Sequence, residues 1–286
     1  VVILTRDVHA DGKWVTDLQA ALLAQGVRTE LLHLSAFVGA GNWRCLLNRV
    51  SDAAPPEDVK LCFAAVRAAE LAGIPVINGT LAYSLACSKL LHYELFKRVG
   101  VLTPPYTVLR RCTNPTQAAQ AARLAYPLLL KPNAAGFGAG ISRVEAAEEL
   151  TQPLVEAALG TDGVALLQEF AAPDEGCTYR VWFVGSKVHC GVRVRATSFN
   201  ACVRSSPSEP WTVPPSVARS VVEMASQANE APSVVPTAAR SSCTPLLIPN
   251  GTSMHHKLCT GRCLVELVHL CSCTPIHHLQ HVCSFK

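Results

Sequence analysis

The chain has 286 residues, 49% hydrophobic and 16% charged, which is enough apolar material for two domains with real cores and excludes a disordered chain. Its net charge of +4, from 25 basic against 21 acidic residues, sets up no strong field, and no lysine/arginine run is interleaved with aromatics, so nucleic acid is excluded as the main partner. No apolar run approaches the ~18 residues of a spanning helix, which excludes an integral membrane protein of that kind and predicts a soluble, cytoplasmic one.

Val1 to Thr5 reads as a buried strand, Lys13 to Gln25 as a helix ended by Gly26, and Val27 to Leu34 as a second strand, the start of a βαβ unit. A loop bearing Pro55-Pro56 leads to a helix over Val59 to Ala72, stopped by Gly73, and to a short buried strand over Ile74 to Ile77. Residues 1–84 are therefore expected to form a small α/β domain of half-Rossmann size. The loop with Arg6, Asp7 and His9 after the first strand carries no assigned role. The chain opens without methionine, on a strand, so an upstream targeting signal stays open.

Leu85 to Val99 places Leu91, Leu95 and Val99 at helical spacing, with Gly100 as the stop. Asn114-Pro115 is a helix start, because asparagine caps free N–H groups and proline at the first position loses no hydrogen bond. That helix is expected to run to about Ala125. The stretch LLLKPNAAGFGAGISRV, Leu128 to Val144, then reads as strand, glycine loop, strand, with Lys131 at the entrance. Gly136, Gly138 and Gly140 free the backbone to turn its N–H groups toward anionic oxygens, and Lys131 adds the positive charge. The layout suits a flap over a nucleoside triphosphate. Neither the Gly-Lys-Ser/Thr of a Walker A loop nor a G-x-G-x-x-G turn is present. A plain hairpin with a loose turn is the alternative for the glycine cluster by itself.

An acidic helical stretch, Glu145 to Leu150, continues irregularly past Pro153. Val164 to Phe170 follows as a strand, and Tyr179 to Val184 with Lys187 to Val194 form a hairpin around Gly185-Ser186. After Arg204 the composition changes: residues 205–286 hold six of the 13 cysteines, six of the 10 histidines and no aspartate, in Ser/Pro-rich surroundings. This predicts a region of low order. The first seven cysteines are scattered through apparent strands and helices, as small buried hydrophobes of a reducing compartment would be.

With this order in place, residues 1 to about 204 resemble the ATP-grasp superfamily, nearest its glutamate-ligase-like carboxylate-amine ligases. The resemblance is carried in order by NRVSDAAPP with AAVRAAELAGIPVIN, SKLLHYELFKRVGVLTPPY, LLLKPNAAGFGAGISRV, LLQEF and YRVWFVGSKVHCGVRV. It implies a pre-ATP-grasp domain over 1–84 and an incomplete ATP-grasp α+β domain over 85–204, with 205–286 as a tail outside the pattern. Lys131 resembles the flap-proximal lysine on the α/β-phosphates, and Lys89 the earlier phosphate-facing lysine, with Ser88 where the family often has an aspartate. Gln168, Glu169 and Phe170 resemble the hinge whose backbone reads the adenine edge, the base packing on the Phe170 side. Asp174 or Glu175 would take the ribose hydroxyls, although Thr178 stands at the position that best matches the family's ribose-binding acid. The resemblance puts Arg180, Arg193 or both toward phosphates or acyl substrate.

The implied chemistry is ATP-dependent activation of a carboxylate as an acyl phosphate, then displacement of phosphate by an amine, with ATP and Mg2+ as cofactors and small-molecule or peptide acids and amines as substrates. The superfamily's late acidic strand and Glu-x-Asn are not found here: after Ser205 the acids are Glu209, Glu223, Glu230 and Glu266, and none begins a Glu-x-Asn. Magnesium takes hard oxygen ligands that cysteine and histidine do not replace, so impaired activity is expected. Either a changed exon boundary or reading frame replaces the end of a ligase, or the Cys/His tail is a zinc-binding appendage whose spacings match no strong pattern. A polyol-phosphate kinase and a non-catalytic nucleotide-binding protein are the alternative functions.

Overall fold

The structure is a computed structural model that describes residues 1–6, 12–98, 100–136, 138–173, 175–184, 187–195, 206–230, 247–249 and 264–267. The chain divides into two compact units, the first built on Val1–Ser84 and the second on Leu85–Ala231.

The first unit is a four-stranded parallel sheet in the order β2-β1-β3-β4: β1 (Val2–Thr5), β2 (Glu30–His33), β3 (Leu46–Asn48) and β4 (Val76–Ile77). Helices α1 (Gly12–Ala24) and α2 (Pro56–Leu71) make its crossovers, followed by α3 (Thr80–Ala86). Ile3, Leu4 and Leu46 are fully buried, and α2 presents Cys62, Ala65, Val66 and Ala69 to the core. Burial pushes the Cys62 thiol up to about 12, so it is an inert packing group. Two details differ from expectation. The helix expected from Val59 starts at Pro56, because proline is at home in the first turn and Glu57 and Asp58 complement the helix dipole there. The strand Leu46–Asn48 was not expected at all: three residues buried on both faces leave no alternation to read.

The second unit holds two sheets. In the first, of order β5-β8-β6-β7, β5 (Tyr106–Arg110), β8 (Val164–Glu169), β6 (Leu128–Pro132) and β7 (Ser142–Val144) are antiparallel. Residues directly opposite share a face, so the register Lys131↔Leu166, Leu129↔Gln168, Leu129↔Arg143 and Tyr106↔Gln168 gathers all six on one face. The opposite face carries Leu128, Leu130, Leu109, Ala165 and Leu167, which pack with Ala119 of α5 (Pro115–Ala121) and Val155 and Ala158 of α6 (Gln152–Ala158). The Asn114 cap is as expected, its side chain accepting from the Gln117 N–H at 3.0 Å, but the helix ends at Ala121 rather than near Ala125.

The second sheet, of order β11-β10-β9-β13-β12, has at its centre the hairpin β9 (Cys177–Val184) and β10 (Lys187–Arg195). β11 (Ser208–Pro210) lies antiparallel to β10, β13 (Leu264–Leu267) parallel to β9, and β12 (Leu247–Pro249) on the outer edge. Helix α7 (Pro215–Glu230) places Val221 in the core shared by Tyr93, Phe96, Leu166, Cys177, Tyr179 and Val181. The expectation of low order from residue 205 is thus corrected for 206–230. Between Pro/Ser-rich flanks lies a 16-residue helix whose valines at 217 and 221 are one turn apart.

The helix expected over Leu85 to Val99 is two helices, α3 ending at Ala86 and α4 (Lys89–Arg98) beginning anew; Val99 lies outside the described residues. Its buried face is also not the expected Leu91-Leu95-Val99 row. Tyr93 and Phe96, three apart, are 4% and 2% exposed, whereas Leu91 is 42% exposed. The two aromatic rings bury more area than the leucines and decide the rotation of the helix.

Candidate functional site

The glycine loop joins β6 to β7, the strand–loop–strand order the sequence suggests. Two tight turns shape it, with Ala139 N–H donating to Gly136 O (3.0 Å) and Ile141 N–H to Gly138 O (3.4 Å). Gly138 and Gly140 have φ of 75° and 71°, the left-handed region, and a Cβ on Gly140 would stand 2.8 Å from Pro132 Cγ. Glycine is required there on both counts.

Two lysines flank the loop's entrance. Lys131, 9% exposed on β6, donates from Nζ to Tyr93 Oη (2.6 Å) and to Gln168 Oε1, and lies 5.1 Å from the Tyr93 ring centroid. Tyr93 Oη donates in turn to Gln168 Oε1. Burial holds the Tyr93 phenol far above its ordinary value, so it stays a neutral hydroxyl beside the ammonium. Lys89, the first residue of α4, donates from Nζ to the carbonyls of Pro132 (2.8 Å), Asn133 (3.2 Å) and Ala135 (2.7 Å). The lysine expected to face phosphates therefore grips the backbone that leads into the loop. His92, one turn along α4, stacks on Phe96 and is pushed down to about 4, first by burial and then by the Lys89 charge. It adds no second charge near neutral pH.

The start of α4 is capped from two sides. Ser88 Oγ accepts from Leu91 N–H (3.2 Å) and Asn133 Oδ1 from Leu90 N–H (2.7 Å), satisfying two of the amides a helix leaves unpaired. Ser88, the position where an aspartate was looked for, is a cap residue, a role both side chains can fill.

The segment expected to act as a hinge has its backbone donors engaged at its start. β8 is flanked by β5 and β6, and the N–H groups of Glu169 and Phe170 are taken by Pro105 O and Pro127 O at 2.9 Å each. Gln168 and Glu169 are bound through their side chains as well, Gln168 to Lys131 and Tyr93, and Glu169 Oε1 to Ala125 N–H (2.8 Å). Among the described residues, the N–H groups of Ala171 and Ala172 donate to nothing. The Phe170 ring is covered by the Arg143 guanidinium at 4.4 Å, and Arg143 pairs with Glu145 at 2.7 Å.

Comparisons with known proteins agree with this geometry. Residues 95–185 match the family described as D-ala D-ala ligase C-terminus. The chain is 34% identical over 110 residues to the vancomycin B-type resistance protein VanB of Enterococcus faecalis, covering 38% of this chain and 31% of that one. It is 36% identical over 102 residues to a D-alanine–D-alanine ligase of Geobacter sulfurreducens, covering 35% and 31%. These matched segments span about a third of the relatives' length. Among solved structures, D-cycloserine synthetase DcsG superposes with a TM-score of 0.63 at 14% identity, covering 96% of this chain and 92% of that one. The RimK domain ATP-grasp protein of Sphaerobacter thermophilus gives 0.59 at 15%, covering 93% and 89%. The chain has the fold of the ATP-grasp ligases.

Of the residues the ATP-grasp resemblance singled out, the structure brings together Lys131, Lys89, Gln168 and the loop with Gly136, Gly138 and Gly140. Asp174 lies outside the described residues, as does the Phe199-Asn200 stretch. Thr178 Oγ1 is buried with no hydrogen-bond partner among the described residues. Arg180 and Arg193 are not brought together. Arg180 stands opposite Val192 and Arg193 opposite Tyr179, so they occupy opposite faces of the hairpin. Arg193 is tied to Glu209 of β11 at 2.5 Å. Of the two, this register lets one at most face any given side of the hairpin.

Sequence reasoning missed Tyr93, Asn133 and Arg143. Tyr93 stands four residues after Lys89 on one helix, and Asn133 two residues after Lys131, just past the end of β6, spacings that could have pointed to them. Among the described residues, no group of three His, Cys, Asp or Glu side chains could hold a metal ion, and no helix is long and apolar enough to cross a membrane.

Proposed function

We propose that the second unit binds ATP under the glycine loop and that the chain is built for ATP-dependent joining of a carboxylate to an amine. The observation that carries this is the placement of two lysines, Lys131 and Lys89, at the entrance of a loop whose Gly138 and Gly140 adopt the left-handed conformation. In this reading residues 1–84 are the preceding domain, 85–204 the nucleotide-binding domain and 205–286 a tail outside the family pattern. The adenine edge would meet the Phe170 carbonyl and the N–H groups of Ala171 and Ala172, since the donors of Glu169 and Phe170 are spent on the sheet.

A carboxylate oxygen attacks the γ-phosphorus, the bond to the β–γ bridging oxygen breaks and ADP leaves. The amine nitrogen then attacks the acyl carbon, the carbon–oxygen bond to phosphate breaks, and the nitrogen loses a proton. Lys131 supplies fixed positive charge toward the phosphate oxygens, Lys89 holds the backbone that leads into the loop, and the loop's N–H groups orient the phosphates. Magnesium, which travels with the nucleotide, would neutralise further charge; the described side chains offer it no shell, so no step is drawn through it. Turnover well below that of a complete ligase is expected, because the sequence after Ser205 contains no Glu-x-Asn.

The name of the Geobacter sulfurreducens relative makes D-alanine the first substrate to try, as both acid and amine. Product analysis after incubation with ATP, magnesium and D-alanine tests the reading. ADP, inorganic phosphate and a dipeptide in equal amounts would support it. ADP with a phospho-ester and no free phosphate would replace it by a kinase. Binding without any product would leave a nucleotide-binding protein.

A further inference from the structure

Asn133 is 5% exposed and sits where the first sheet, α4 and the loop before β8 converge. Its N–H donates to Val164 O (3.0 Å), and its carbonyl accepts from both Lys89 N–H (3.3 Å) and Lys89 Nζ (3.2 Å). Its Oδ1 caps Leu90 N–H at 2.7 Å, and its Nδ2 donates to Ser88 Oγ (3.1 Å) and Asp162 Oδ2 (2.5 Å). Asp162 Oδ1 in turn accepts from Val164 N–H (3.2 Å). A Cβ on Gly160 would lie 2.8 Å from Asp162 Oδ1 and 3.0 Å from Ala134 N, so the turn is pressed against the start of the glycine loop.

Resting on the nucleotide reading above, we propose that Asn133 and Asp162 form a positioning pair that sets Lys89 and the glycine loop in register with Lys131. Asn133 is two residues from Lys131 along one backbone and fixes, through a single amide, the first turn of the helix that begins with Lys89. An amide is suited to this place because it must accept from a helix N–H and donate to a carboxylate at once; neither Asp nor Leu can do both. Buried groups in such a network are costly to leave unmatched, so the register of the two ammonium groups depends on it. The pair touches no reacting atom. It acts through Lys89 and the loop.

The test is a donor–acceptor exchange in the full chain. Asn133→Asp turns a second oxygen toward the Asp162 carboxylate, and Asp162→Asn added to it restores one donor and one acceptor in reversed order. The dissociation constant of a non-hydrolysable ATP analogue, measured by calorimetry well below the melting temperature, should rise about tenfold in Asn133→Asp and return to within about threefold of the parent in the double variant. Hydrogen-exchange protection of the Leu90 amide should fall and recover in step. A variant that melts earlier yet binds the analogue within twofold of the parent overturns the proposal, as does a double variant that recovers stability but not affinity. Should Asn133→Asp fail to fold, Asp162→Ala carries the test, with a rise of about threefold expected and an unchanged constant contradicting it. A parent chain that binds no analogue defeats the nucleotide reading and the pair with it.

Discussion

The arm formed by β6 and β7 and the hairpin formed by β9 and β10 are both antiparallel pairs, yet they hold their cations in different ways. In the arm, Lys131 is buried among Tyr93, Gln168 and Leu166, and Lys89 is clasped by three carbonyls, so each ammonium has one place to be. In the hairpin, the two arginines sit at adjacent register positions and point to opposite faces, and Arg193 is held by a half-exposed partner on β11. Fixed cations are what a phosphate site needs, because charge already in position requires no reorganisation when the ligand arrives. The arm therefore bears the nucleotide claim, and the hairpin contributes one arginine at most.

The largest effect expected from breaking this contrast is that of Lys131→Ala, which should weaken binding of an ATP analogue by more than about 100-fold in calorimetry, a buried charge-assisted contact being lost. Retention of binding within tenfold would mean that the phosphates lie elsewhere. Next comes Gly140→Val. The left-handed φ and the 2.8 Å approach to Pro132 Cγ should reshape the loop and cost about 1–3 kcal/mol of stability in thermal unfolding, with a matching loss of nucleotide affinity. A fully stable, fully binding variant would show the loop to be slack.

Between the two arginines, Arg180→Ala should reduce nucleotide or product-forming activity by about tenfold, whereas Arg193→Ala should change it by less than about threefold, an exposed pair being worth roughly 0–1 kcal/mol. Equal losses would undo the opposite-face argument. A further effect concerns pH and stability. The unfolded His92 imidazole titrates near 6.5 and the folded one near 4, so between these values the unfolded chain binds more protons and stability falls as pH drops. The loss should approach about 2 kcal/mol by pH 4, given the partial exposure of the ring, and His92→Gln should flatten that part of the profile in denaturant titrations.

Much of this arrangement is legible in the sequence. The strand–loop–strand of residues 128–144, the Asn114 cap, the hairpin around 185–186 and the parallel character of the first unit follow from punctuation by glycine and proline and from runs of branched residues. What escaped has physical causes. β3 is three residues long, and Lys89's grip on three carbonyls is a tertiary fact that no spacing encodes. That the N–H groups of Glu169 and Phe170 are consumed by neighbouring carbonyls is likewise not written in strand composition. The 16 residues of α7 stand in a Ser/Pro-rich context, and the packing of Val221 and Val217 on the core holds them there.

In the proposed reading a nucleotide lies between the glycine loop and the segment after β8. Photolabelling with an azido-ATP, followed by tryptic mapping, tests it most directly. Label is expected in the peptide Val144–Arg180, centred on Phe170 to Ala172, with suppression by unlabelled ATP. Label confined to peptides of the first unit, or label in Val144–Arg180 that ATP does not displace, would contradict it.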